Sequence, residues 1–232
     1  MLVLALETAT PRTSVVVAED GRELAAWREL THQDLCRRLA AETGEVLRRA
    51  ARAFADLDLV AVGLGPGSFT ATRVGLATAK GFALAHDLPL VGISSLAAMA
   101  WSSRAPVTGL VCPVLDAKRG EVYGALYRVE QGAVEEVRPA FVATAADLTA
   151  QLSALGEPVT ILAESDRLPP DIRAALRDLL WPEPVWPDAT AIAELGQRRF
   201  AERGGDELGP LRPIYVRMSY AEESLHLDLG LR

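Results

Sequence analysis

The segment Gly63-Leu-Gly-Pro-Gly-Ser-Phe-Thr70 constrains the fold most. It follows Leu59-Val-Ala-Val62, a continuous apolar run of the kind carried by a strand buried on both faces. It precedes a stretch of helix-compatible composition from Ser68 to about Asp87. A strand, a glycine turn and a helix start in that order belong to an α/β protein. They can also form an anion site, because first-turn amides lack intrahelical acceptors and the helix dipole favours negative charge there. Ser68 has the chemistry of an N-cap. The loop is no nucleotide motif by itself. A phosphate loop needs Lys-Ser/Thr after its last glycine, and the next lysine here is Lys80; the dinucleotide fingerprint needs a glycine where Ser68 stands. A tight strand-to-helix turn with no ligand is the competing reading.

At 232 residues, half of them hydrophobic, the chain suits one large domain or two lobes. Its net charge of −7 argues against a dominant nucleic-acid surface, although a partner can hold the polyanion. The two cysteines, Cys36 and Cys112, match no zinc spacing and read as buried thiols in a reducing compartment. The N-terminal run meets Glu7 too soon for a signal peptide, and no apolar run is long enough for a membrane span. The expectation is a soluble cytoplasmic protein without membrane contact.

Apolar runs at 2–6 and 13–18, then an alternating stretch at 22–30 after the hairpin signal Asp20-Gly21, predict three antiparallel strands. Helical spacing from Gln33 to about Arg52 puts Leu35, Leu39, Thr43, Val46, Leu47 and Ala50 on one face. A strand at 59–64, a helix at 68–87, a strand at 90–93 and a short helix from Ser94-Ser95 to Trp101 follow. The second half repeats the plan. Strands are expected at 110–115, 121–129 and 133–142, a helix starting at Thr144 with Asp147 at its capping-box position, and a strand at 159–163. Prolines punctuate 169–170 and 182–187, and 189–203 reads as a helix. Three antiparallel strands, then helix and strand, occurring twice, is the plan of the ribonuclease-H-like, actin-like ATPase (ASKHA) fold. Two lobes, 1–104 and 105–232, each with a mixed five-stranded sheet and helices, are expected.

Several blocks carry a closer likeness. Leu4-Ala-Leu-Glu-Thr-Ala-Thr10, the glycine loop, Arg73-Val-Gly-Leu-Ala-Thr-Ala-Lys-Gly81, Pro89-Leu-Val-Gly-Ile-Ser-Ser-Leu96, Leu115-Asp-Ala-Lys-Arg-Gly-Glu-Val-Tyr123 and Pro213-Ile-Tyr-Val-Arg217 resemble the TsaB (YeaZ) family over the full chain. The resemblance implies an actin-like fold and a part in making N6-threonylcarbamoyladenosine at position 37 of tRNAs that read codons beginning with adenine. It implies a non-catalytic partner of the paralogous transferase TsaD, alongside the ATPase TsaE, with tRNA met only through the complex. It implies no cofactor of the chain's own, ATP or ADP entering only with partners. The family usually has Gly-Leu where this chain has Ala71-Thr72, and Asp where it has Glu7.

The chemistry of a free-standing enzyme is thin. The paralogue's metal-holding His-x-x-x-His pair is missing: His32, His86 and His226 do not share that spacing, position 36 is Cys, and no metal site is expected. Glu7 and Asp116 end the first strands of the two halves. With Thr8 and Thr10 they make a vestigial phosphate site; either such a pair holds Mg²⁺ in a cleft, or the carboxylates merely bond turn amides. No Ser–His–Asp arrangement is visible, so a protease reading lacks support. The 68–87 helix is apolar nearly all round, so its small-residue face is covered either by a partner's helix or by the 33–52 helix. The interface assigned on the first alternative comprises Leu35, Leu39 and Val46, the loop residues Gly65, Pro66, Gly67 and Ser68, and Phe69, Arg73, Gly75 and Ala79. A homodimer through the same helices follows for the chain alone. Arginines of the 33–52 helix are candidates for a few phosphate contacts in the complex. Gly67 is expected to need left-handed backbone, so that Gly67→Val costs about 1–2 kcal/mol in strain. His32→Ala and Cys36→Ser are expected to change activity little. The rival function is a small actin-fold ATPase or kinase with its own nucleotide site between the lobes.

Overall fold

The computed structural model describes residues 1–31, 34–164 and 166–216. The apolar runs become strands β1 (Leu2–Glu7), β2 (Arg12–Glu19) and β3 (Arg22–Leu30). Helix α1 (Leu35–Arg49) leads through a short turn at Phe54–Asp56 to β4 (Leu59–Gly63), α2 (Phe69–His86), β5 (Leu90–Ile93) and α3 (Ser95–Ser102). The second half supplies β6 (Gly109–Lys118), β7 (Glu121–Glu130), β8 (Ala133–Thr144), α4 (Ala145–Ser153), β9 (Val159–Ala163), α5 (Pro170–Leu176) and α6 (Ala189–Arg203). The turn residues do what the hairpins ask of them. Asp20 and Gly21, and later Gln131 and Gly132, all take positive φ, the backbone that matches the twist of tight hairpins.

The first sheet runs β3-β2-β1-β4-β5, with β1 antiparallel to β2 and parallel to β4. Both of its faces are covered, which is why β1 and β4 read as unbroken apolar runs. Leu2, Leu4, Leu6, Val60 and Val62 point to the side of α1 and α2. Val3, Ala5, Leu59 and Ala61 point to the opposite side, against α6. Gly196 lets that helix approach, since a Cβ there would stand 2.7 Å from Ala61 Cβ. Helix α6 comes from the 105–232 half yet packs on the first sheet. Helix α3 lies between the halves: Ala98 and Trp101 join the first core, Leu96, Met99 and Ala100 the second.

The second sheet repeats the order as β8-β7-β6-β9. It has four strands among the described residues rather than the expected five. The place of a fifth is held by the chain at 179–185. Ile161 N–H donates to Leu179 O at 2.7 Å, Trp181 N–H to Ile161 O at 2.8 Å and Val185 N–H to Ala163 O at 2.8 Å. Pro182 and Pro184 bring no N–H to that edge, so no regular ladder forms and a single parallel bridge, Ile161 to Leu180, remains.

Candidate functional site: the glycine loop and the cleft

The glycine loop is held by a fully buried carboxyl. Glu7 Oε1 accepts from Ala9 N–H at 2.6 Å and Oε2 from the Ser95 hydroxyl at 2.7 Å. Ser95 ties the loop from its other side: its Oγ accepts from Gly65 N–H at 3.2 Å, and its N–H donates to Gly65 O at 2.8 Å. Burial pushes the Glu7 carboxyl up to about 7, while the Ala9 amide and Ser95 hydroxyl pull it back. Gly63 makes room for this group, since a Cβ there would stand 2.7 Å from Glu7 Cδ and closer still to Oε2.

Two other glycines serve close approach as well. A Cβ on Gly67 would stand 2.9 Å from the Ala9 carbonyl carbon, closer than any real contact, and nearer still to its oxygen. Gly67 is not in left-handed backbone; in this loop Gly65 is, at φ +82°. The expected reason for Gly67 is therefore corrected from backbone strain to contact with Ala9. Gly75 makes room for Thr8, whose hydroxyl donates to Ala71 O at 2.8 Å. Ser68 is the N-cap of α2, its Oγ accepting from Ala71 N–H at 3.4 Å.

A cavity of about 540 Å³ opens beside this loop, between the ends of the two sheets. One wall is Ala9, Thr10, Pro11 and the start of α2 from Gly67 to Thr70; the other is the end of β6, Tyr123 of β7, and Glu164, Arg167 and Leu168 after β9. The four phosphate-site candidates divide here. Thr10 and Asp116 line the cleft, whereas Glu7 and Thr8 are fully buried and form none of its walls. Asp116 holds its own turn: Oδ1 accepts from Lys118 N–H at 2.8 Å and Oδ2 from Lys118 Nζ at 2.6 Å.

Glu164 is the cleft residue that sequence reasoning missed. It is 7% exposed, and among the described residues its Oε1 has no hydrogen-bond partner. Its Oε2 lies 3.9 Å from Arg167 Nε. Burial raises its carboxyl above the usual range, against the Thr10 hydroxyl and the charge of Arg167. The available signal was an acid directly after an apolar strand run, the same signal that marked Glu7 and Asp116.

The interface expectation is largely overturned by burial. Leu39, Val46 and Ala79 are fully buried, and Leu35 and Gly75 are buried as well. The stripe of α1 and the small-residue side of α2 belong to one core over the first sheet. Gly65 and Pro66 are buried too. Ser68, Phe69 and Arg73 do reach the surface. Arg73 is stacked 3.6 Å from the Phe69 ring and donates from Nε to the Tyr215 hydroxyl at 2.8 Å. Leu84, farther along α2, is 70% exposed.

The arginines of the first helix are engaged in part: Arg37 and Arg49 are exposed with no ion pair among the described residues, and the others are paired. Arg38 pairs with Glu29 and Glu42, Arg48 with Glu45, and Arg52, just past its end, with Glu19. Cys112 is buried as expected, but Cys36 is exposed. His86 sits in the last turn of α2, stacked on Phe54. His32, His226 and Arg217 lie outside the described residues, so the His32–Cys36 pairing does too. Among the described residues no three His, Cys, Asp or Glu side chains gather to hold a metal, and no helix is long and apolar enough to cross a membrane.

The family model described as TsaD, tRNA N6-adenosine threonylcarbamoyltransferase, matches residues 29–170. The tRNA threonylcarbamoyladenosine biosynthesis protein TsaB of Escherichia coli is 35% identical over 135 residues, 58% of each chain, so the match spans little more than half of that relative. TsaB of Bacillus subtilis is 28% identical across 96% of both chains. Among solved structures, YeaZ from Pseudomonas aeruginosa superposes with a TM-score of 0.76 at 24% identity, covering 92% of this chain and 99% of that one. That likeness shows the fold: two α/β halves of the actin-like, ribonuclease-H-like class.

Proposed function

The chain belongs to the TsaB (YeaZ) family of tRNA threonylcarbamoyladenosine biosynthesis proteins, and from that premise we propose that it is the family's non-catalytic subunit. On this reading it supports the paralogous transferase TsaD, together with the ATPase TsaE, in placing threonylcarbamoyl on adenosine 37 of tRNAs whose codons begin with adenine. The observation that carries the proposal is the engagement of the two strand-end carboxylates. Glu7 is sealed on the Ala9 amide and the Ser95 hydroxyl, and Asp116 is closed on Lys118. A phosphotransfer site needs such groups free to hold a metal or an attacking oxygen.

The chain works in the cytoplasm, needs no cofactor of its own, and meets ATP or ADP only with its partners. The surface for TsaD is the outer edge of α2, where Phe69, Arg73 and Leu84 are exposed. An aromatic–arginine cluster beside exposed aliphatic surface has the makeup of interface anchors. Alone, the chain buries the same edge against a second copy. It binds tRNA through the complex, because its net charge is −7 and Arg38 and Arg48, two of the four α1 arginines, are already paired with carboxylates.

Reconstitution tests the proposal. Purified TsaD and TsaE, ATP, the threonylcarbamoyl donor and tRNA are expected to yield modified tRNA only when this chain is added. The chain alone is expected to hydrolyse no ATP and to shift tRNA only weakly at physiological salt. Micromolar Mg·ATP affinity by calorimetry, with hydrolysis abolished by Asp116→Ala, would overturn it in favour of an independent ATPase.

A further inference from the structure

We propose that the cleft between the two sheets binds a free α-amino acid, its ammonium group on Glu164 and its carboxylate on the N-terminal amides of α2. Two observations at separate points of the cleft carry this. Glu164 lines it, is 7% exposed, and has an oxygen without a partner among the described residues. A buried carboxylate oxygen left unpaired is costly, and a charged N–H donor relieves that cost. Helix α2 brings the complementary end. Ser68 N–H is engaged by Ala9 O at 2.7 Å, and Ala71 N–H by Ser68 Oγ. The Phe69 and Thr70 amides have no intrahelical acceptor, and both residues line the cleft.

The charge balance selects between ligand classes. The cleft's charged side chains are Asp116 and Glu164 against Lys118 and Arg167, which cancel, and Lys118 is closed on Asp116. A polyphosphate would bring several negative charges to a cleft already holding two carboxylates. A zwitterion adds no net charge and carries on one carbon a cation for Glu164 and an anion for the α2 amides. Val114, Leu115, Ala117 and Leu168 give an apolar wall for its side chain, and about 540 Å³ exceeds what a free amino acid needs.

The test is calorimetric titration of the full chain with glycine, L-threonine and L-leucine, and with the Nα-acetyl and methyl-ester forms of each. At least one free amino acid is expected to bind. Acetylation removes the cation and esterification the anion, and each is expected to weaken binding at least about tenfold. Glu164→Gln, nearly isosteric, is expected to weaken it by a similar factor. Phe69→Pro and Phe69→Ala both remove the ring, but only proline removes the amide donor, and the Ser68 ψ of 116° suits a following proline. The proline variant is therefore expected to bind the carboxylate more weakly than the alanine variant. If Glu164→Gln does not fold by circular dichroism, the derivative series on the parent chain carries the test. Failure of all three free amino acids to bind at about 10 mM would overturn the proposal. So would derivatives that bind as well as the free forms, or Mg·ATP binding that depends on Glu164.

Discussion

Replacing Gly67 by alanine tests the packing of the loop on Ala9. The new Cβ would stand 2.9 Å from the Ala9 carbonyl carbon and from Ala9 Cβ, and closer to the oxygen. Comfortable carbon contacts are about 3.5–4.0 Å, so the two segments must part by more than about half an ångström. Neither is free to move. Ala9 is buried, with its N–H on Glu7 Oε1 at 2.6 Å and its carbonyl on Ser68 N–H at 2.7 Å. Overpacking of this kind costs about 1–3 kcal/mol, and loosening the Ser68–Ala9 bond costs about 1 kcal/mol more. The expected loss, about 2–4 kcal/mol, leaves a typical domain folded and lowers its urea midpoint by roughly 1 M at unchanged slope.

Gly81→Ala in the same helix is the control. A Cβ there meets nothing within 4 Å, and the helix gains about 1 kcal/mol of intrinsic propensity. The two alanines should therefore move the midpoint in opposite directions, followed by circular dichroism in urea. In the reconstituted tRNA reaction, Gly67→Ala is expected to depress activation sharply at a temperature where it is still folded. A Gly67→Ala midpoint equal to that of the parent would refute the close-approach argument, and full activation would sink the role of the loop in docking.

Glu7 should give the stability a falling limb with pH. Its folded value, about 7, lies above the ordinary carboxyl value of 4.5, so the folded chain holds this proton more tightly than the unfolded one. The contribution is therefore largest below about pH 4.5, declines as pH rises through 7, and is flat above. The gap corresponds to about 3 kcal/mol at most; urea midpoints at pH 5, 6, 7 and 8 should fall in the parent and flatten in Glu7→Gln, and a flat parent profile would contradict the assignment. Leu84→Asp should abolish the proposed self-association in light scattering with little change in stability, because Leu84 is 70% exposed. Leu39→Ala should instead cost about 2–5 kcal/mol, since Leu39 is core; a monomeric parent at high concentration would end the dimer proposal. A thiol reagent should modify Cys36 rapidly in the native chain and Cys112 only on unfolding, because burial pushes the Cys112 thiol up to about 12; two fast thiols would refute this.

Most elements were legible because their signals are local. Both faces of β1 and β4 are covered, so their sequences are unbroken apolar runs, and Asp20-Gly21 and Gln131-Gly132 turn where such pairs turn. Helix α5 was not legible: Pro169-Pro170 looks like punctuation, although proline is at home in a first helical turn. The α1 periodicity gave the direction of Leu35, Leu39, Thr43, Val46 and Leu47, but not what lies opposite them. An amphipathic stripe looks the same whether its own sheet or a partner covers it, so the sequence alone does not separate Leu35, Leu39 and Val46 as core from the same residues as an interface. Cys36 lies close to that arc in the first turn and is nonetheless exposed, so the pattern does not say where the covering surface ends.

The division of labour between the halves follows from where the carboxylates come to rest. An extra methylene lets Glu7 reach both the Ala9 amide and the Ser95 hydroxyl, and the empty side of Gly63 gives it the space. That arrangement removes the first sheet's acid from the cleft and makes it a clamp on the glycine loop. The first half then offers the cleft mainly backbone and small side chains, from Ala9 to Pro11 and from Gly67 to Thr70. All of the charged lining, Asp116, Lys118, Glu164 and Arg167, comes from the second half. Perturbing the loop should therefore alter docking through α2, whereas perturbing Glu164 should alter the cleft ligand. The two classes of variant are separable: Gly67→Ala acts on activation by displacing the loop that sets the entry of α2, and Glu164→Gln acts on ligand affinity in a chain whose glycine loop is intact.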